Sequence, residues 1–100
     1  SNWGPCVKVL APGTLITSAW STSDVAIQTI SGTSMASPHT AGVAAALWSA
    51  QPHADNAAIT ARLLAGAEPG LVEIPCNSAK CKQTPNKLLQ LTSCADKKKK

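Results

Sequence analysis

Ser34 stands in the run Gly32-Thr33-Ser34-Met35-Ala36-Ser37-Pro38-His39-Thr40-Ala41-Gly42, between a glycine and a helix-forming stretch. A hydroxyl at the mouth of a helix suits nucleophilic acyl transfer. First-turn N–H groups have no intrahelical partner, and the positive end of the helix dipole faces the charge that develops on an attacked carbonyl. Gly32 reads as the residue that lets the backbone approach a substrate closely. Pro38, tolerated near a helix start, places that start at or just after Ser34. A serine without a base is a poor nucleophile. His39 follows five positions later, a spacing that turns it away, since neighbours on one helix face lie three or four apart. His53, in Gln51-Pro52-His53-Ala54, reads as an exposed loop residue between two helices. Ser34 is therefore the candidate catalytic residue, and neither histidine is its base.

The elements that must carry Ser34 follow from patterning and imply an α/β chain. Val7 to Leu10 reads as a short strand ended by Ala11-Pro12-Gly13, and Ile16–Trp20 and Val25–Ile30 alternate as two more strands around a turn at Ser21–Asp24. A central helix is expected from Ser34 to Ala50, closed by Pro52. Its stretch Ala41–Trp48 is apolar on every side, as in a helix surrounded by protein. Asp55 suits the N-cap of a second helix reaching about Ala65, with Ile59 and Leu63 one turn apart and Gly66 as its stop. Beyond an irregular Cys-bearing loop, Leu88 to Leu91 reads as a last short strand.

Composition limits what the chain does alone. Of its 100 residues 44% are hydrophobic, but Phe and Tyr are absent and alanine dominates, which leaves little bulk for an independent core. The apolar helix is too short to span a bilayer. The net charge of +4 is matched by the four lysines Lys97–Lys100, which read as a solvated tail. No nucleic-acid motif or aromatic interleaving accompanies them, so no nucleic-acid partner is expected. Cys6, Cys76, Cys81 and Cys94 allow three full pairings. Disulfides, free structural thiols and a metal site are the readings in descending order, because the spacing is not that of a typical zinc site. Cys76 with Cys81, closing a small loop, is the preferred bridge. Any such bridge points to an oxidising, extracellular destination.

The segment Gly32–Gly42 resembles the nucleophile segment of the subtilisin-like serine proteases, with Thr40 the one departure, standing where valine is common. Ser1-Asn2-Trp3-Gly4 with Val9-Leu10-Ala11-Pro12-Gly13, and Thr84-Pro85-Asn86-Lys87-Leu88-Leu89, are similar to flanking blocks of that family in the same order. The likeness covers residues 1–92 and is nearest the proteinase K and aqualysin type. It implies a partial subtilisin-like fold: the C-terminal portion of a parallel-sheet, three-layer catalytic domain whose central helix bears the nucleophile. Residues 93–100 would be a Cys- and Lys-rich tail. It also implies a secreted serine endopeptidase acting on peptide or protein substrates, with Ser34 as nucleophile and the histidine of the Ser-Pro-His run in a structural role.

In that family the triad runs Asp, His, Ser along the chain. Only 33 residues precede Ser34, with no histidine and one acid, Asp24, too close in sequence to serve. The family's side-chain oxyanion donor, an asparagine, has no match either. The catalytic Asp and His are thus expected from a missing N-terminal part of the domain, and the isolated chain is expected to be inactive. The alternative is a non-enzymatic truncated secreted domain that binds a propeptide, an inhibitor or an acidic surface. In aqualysin-like relatives a cysteine at the place of Cys6 pairs with one upstream; here Cys6 either pairs with Cys94 or stays unpaired. Lys8 stands where proteinase K-like enzymes often hold a calcium-coordinating aspartate, and an ammonium cannot serve a cation that demands oxygen ligands. No cofactor and no metal are expected, with Lys8 read either as a tethered replacement cation or as a solvated surface residue.

Overall fold

The computed structural model describes residues 1–91. A hairpin of β1 (Ile16–Ala19) and β2 (Ile27–Ile30) leads into the long helix α1 (Thr33–Ala50). Helix α2 (Asn56–Gly66), a two-residue strand β3 (Glu68–Pro69), a 3-10 turn at Cys81–Gln83 and strand β4 (Lys87–Leu88) complete the order.

The hairpin is antiparallel, with Ile16 opposite Ile30 and Ala19 opposite Ile27. Thr17 faces Thr29, and their hydroxyls lie 2.7 Å apart, a cross-strand pair of the kind that stabilises a ladder. The strands are shorter than the alternation implies because Trp20 N–H donates to Ala26 O and Ala26 N–H to Ser23 O, drawing those residues into the turn.

Helix α1 starts at Thr33, one residue before the expected start, and ends as expected at Ala50. Pro38 lies inside it rather than in its first turn. The missing proline N–H leaves the Ser34 carbonyl without its usual donor four residues on. Leu47 is the one buried residue of this apolar helix. It packs with Ile59 and Leu63 of α2, flanked by Val9, Val43, Ala44, Ala54, Leu64 and Leu89, and this cluster is the core. Apart from half-buried Met35, Ala36, Thr40, Val43 and Ala44, the rest of α1 is exposed, with Trp48 43% exposed.

Asp55 caps α2 as expected, its Oδ1 accepting from Ala58 N–H at 2.8 Å. Gly66 does not stop the helix from outside; it is the last helical residue, and Ala67 follows in extended backbone.

The expected strand at Val7–Leu10 does not form. Its residues spend their hydrogen bonds on a local turn, Val7 N–H to Gly4 O and Lys8 Nζ to Pro5 O. Leu10 alone makes a parallel bridge to Leu88, through Leu10 N–H to Lys87 O and Leu89 N–H to Leu10 O. The expected strand Leu88–Leu91 shrinks to Lys87–Leu88, whose partner is the unforeseen β3. Pro69 is accommodated there because β3 has a neighbour on one side only.

Cys76 and Cys81 are bridged, with Cα atoms 5.5 Å apart. Cys6 is exposed and outside that bridge. Cys94 and the expected tail at 93–100 lie outside the described residues. Among the described residues no helix is long and apolar enough to cross a membrane.

Candidate active site

Ser31 and Gly32 are the whole connection between β2 and α1, so the hairpin sets where the helix begins. Ser34 is the second helical residue and is exposed. The Gly32 carbonyl accepts from the N–H groups of Met35 and Ala36 at 3.0 and 3.4 Å. Among the described residues, the N–H groups of Thr33 and Ser34 donate to no acceptor and the Ser34 hydroxyl has no partner. An anion placed there would meet free donors and the positive end of a five-turn helix.

A cleft of about 410 Å³ lies between the hairpin and the first turns of α1, lined among others by Ile16, Trp20, Gln28, Ser34, Met35 and His39. His39 shares this cleft without serving the serine. Its Nδ1 lies 2.8 Å from the Met35 carbonyl oxygen, to which it can only donate. The ring is therefore anchored one turn back along its own helix, and its spacing of five from Ser34 turns it away from the serine. His53 is exposed beyond α1, and Asp24 is exposed in the hairpin turn. Nothing among the described residues stands ready as a base for Ser34.

Within the chain itself the close backbone approach falls at a second glycine, Gly13. Gly32 has extended backbone, and a Cβ there would make only ordinary contacts, the nearest with Met35 Sδ at 3.6 Å. Gly13 is the crowded one. Its carbonyl accepts from Gly32 N–H at 2.7 Å, and a Cβ on it would fall 2.7 Å from the Gly32 carbonyl oxygen. Sequence reasoning also missed Ser31, whose Oγ accepts from Leu15 N–H at 2.7 Å. The Ala-Pro-Gly run was a usable signal for Gly13. Leu15 carried none, because its φ of 51° is a conformation that bulky residues rarely adopt.

At the site expected of a calcium ligand, Lys8 Nζ donates to Pro5 O at 3.2 Å. That ammonium supplies a positive charge where a calcium site needs an oxygen ligand.

The family model described as the subtilase family (peptidase S8) matches residues 1–92. A cuticle-degrading serine protease of Arthrobotrys oligospora is 45% identical over 89 residues, covering 88% of this chain and 20% of that protein. An extracellular serine proteinase of a Thermus species is 48% identical over 73 residues, covering 73% of this chain and 18% of that protein. Among solved structures, a cold-adapted subtilisin-like serine proteinase superposes with a TM-score of 0.77 at 40% identity, covering 92% of this chain and 31% of the other. The chain thus spans about a fifth of these curated relatives and under a third of that structure.

Proposed function

The chain belongs to the subtilase family of serine proteases, and from that premise we propose that it carries the nucleophile of a secreted endopeptidase, Ser34. The observation that carries this reading is the exposed Ser34 at the start of α1 beside undonated first-turn N–H groups. In the reaction Ser34 Oγ attacks a peptide carbonyl while its proton passes to a histidine oriented by an aspartate. The Ser34 N–H donates to the oxyanion that forms. The histidine and aspartate come from polypeptide outside this sequence, which also covers the open faces of α1. The Cys76–Cys81 bridge and the kinship to a proteinase named as extracellular support an extracellular setting.

The test is the intact mass of the chain after exposure to a fluorophosphonate, alone and after refolding with the part of the cold-adapted proteinase that precedes its matching segment. One label is expected in the mixture, none on the chain alone, and none after Ser34→Ala. Peptide hydrolysis by the isolated chain, or a label that survives Ser34→Ala, would overturn the reading.

Calcium plays no part at Lys8, whose tethered ammonium takes the place of an ion. A chelator is expected to leave the melting temperature of the complemented protein unchanged. Lys8→Asp should create a calcium-dependent rise, and a chelator-sensitive melt with Lys8 in place would refute the assignment.

A further inference from the structure

The hairpin register runs out in an orderly way just before Ser34. Ile16 faces Ile30, so continued pairing would set Leu15 against Ser31 and Thr14 against Gly32. Instead Gly32 N–H donates to Gly13 O, which places one extra residue on the first strand. This is a bulge, a device that re-aims the chain next to it. At the bulge Leu15 takes a left-handed backbone although it is bulky and 73% exposed. No burial of its side chain offsets that strain. Its N–H donates to the Ser31 hydroxyl at 2.7 Å, a bond that a regular ladder would not supply, because Leu15 and Ser31 would form a non-hydrogen-bonded pair in this register.

We infer that Gly13, Leu15 and Ser31 form a clamp that sets the position of the Ser34 turn, and that they are positioning residues for its reaction. The inference rests on the reading of Ser34 as nucleophile. The geometry works from both sides of the Gly32 peptide. Its N–H is held by Gly13 O, and its carbonyl is the first acceptor of α1, taking the N–H groups of Met35 and Ala36. Moving this peptide moves the first turn of the helix, and Ser34 with it. Gly13 can hold it this closely only without a side chain, since a Cβ would press on the Gly32 oxygen and approach Ala36 Cβ at 3.3 Å. Ser31 acts one step further out. Without its hydroxyl Leu15 has no reason to stay left-handed, and the loop that presents Gly13 O relaxes. A displacement of the order of 1 Å in a reacting group costs about 100-fold in rate. The clamp is small in energy and large in consequence.

Two measurements test it. On the full chain, amide hydrogen exchange is expected to show protection of Leu15 and Gly32. Ser31→Ala should release Leu15 and shift the Ser34 amide resonance, while Ser31→Thr, which keeps the hydroxyl, should do neither. In the complemented protein, Ser31→Ala is expected to lower kcat about 10-fold with KM within about twofold, and Gly13→Ala to lower it about 100-fold. Adding Leu15→Gly to Ser31→Ala should restore most of kcat, because glycine holds the left-handed backbone without help.

The clamp is overturned if Leu15 exchanges as fast as the loop amide of Val25 in the unsubstituted chain. It is equally overturned if Ser31→Ala lowers only the melting temperature and leaves kcat and the Ser34 resonance unmoved. A complemented protein that takes no label at Ser34 would retire the nucleophile reading by itself, and the exchange data would then decide the clamp alone.

Discussion

The two ends of α1 are built on different principles. At its C-terminal half Leu47 meets Ile59 and Leu63, and the contact is apolar, buried and made by side chains one helical turn apart. At its N-terminus Ser34 stands exposed, and what locates it is a pair of 2.7 Å hydrogen bonds between loop residues. The first region is held by burial, which tolerates small displacements. The second is held by direction and distance, which do not. A side chain that acts as the proposed nucleophile has to stay accessible, so its placement cannot come from covering it, and hydrogen bonds beside it take that part instead.

That contrast can be broken at its strongest point. Ile59→Ala empties the best-buried position, 3% exposed, and is expected to cost about 2–5 kcal/mol in chemical denaturation of the chain. The Leu15 and Gly32 amides should keep their relative protection until the whole chain unfolds. If they open at once, the two regions are one unit. Reducing the Cys76–Cys81 bridge opens a short loop far in sequence from Ser34, and chain entropy puts its worth at about 2 kcal/mol. Reduction should lower the melting temperature with no change in the Ser34 amide resonance. A smaller change sharpens the comparison: Asp55→Ala removes the cap bond to Ala58 N–H and is expected to cost about 1 kcal/mol, read as a shift in the denaturation midpoint. An effect on fluorophosphonate labelling in the complemented protein would show that α2 also governs the serine.

The helices and the hairpin were legible because their signals are local. Asp55 caps the helix it precedes, Ile59 and Leu63 share a face by spacing alone, and Ser21–Asp24 turns the chain between two alternating runs. The short strands were not legible. Val7–Leu10 has the composition of a strand, yet a strand exists only where a neighbour runs beside it, and Leu10 alone finds one in Leu88. Likewise β3 has no strand pattern of its own and is defined by Lys87 and Leu88 opposite it.

The site divides in the same way. Residue types and spacing alone put Ser34 at the start of a helix and turned His39 away from it, and they made Cys76–Cys81 the preferred bridge, which the structure contains; each depends on residues a few positions apart. Only the tertiary structure decided that Gly13 has no room for a side chain, and that Leu15, left-handed, meets the Ser31 hydroxyl. Those contacts join residues 16 and 19 positions apart. Composition and periodicity carry no record of such a meeting, because it is set by hairpin register and by one extra residue in it.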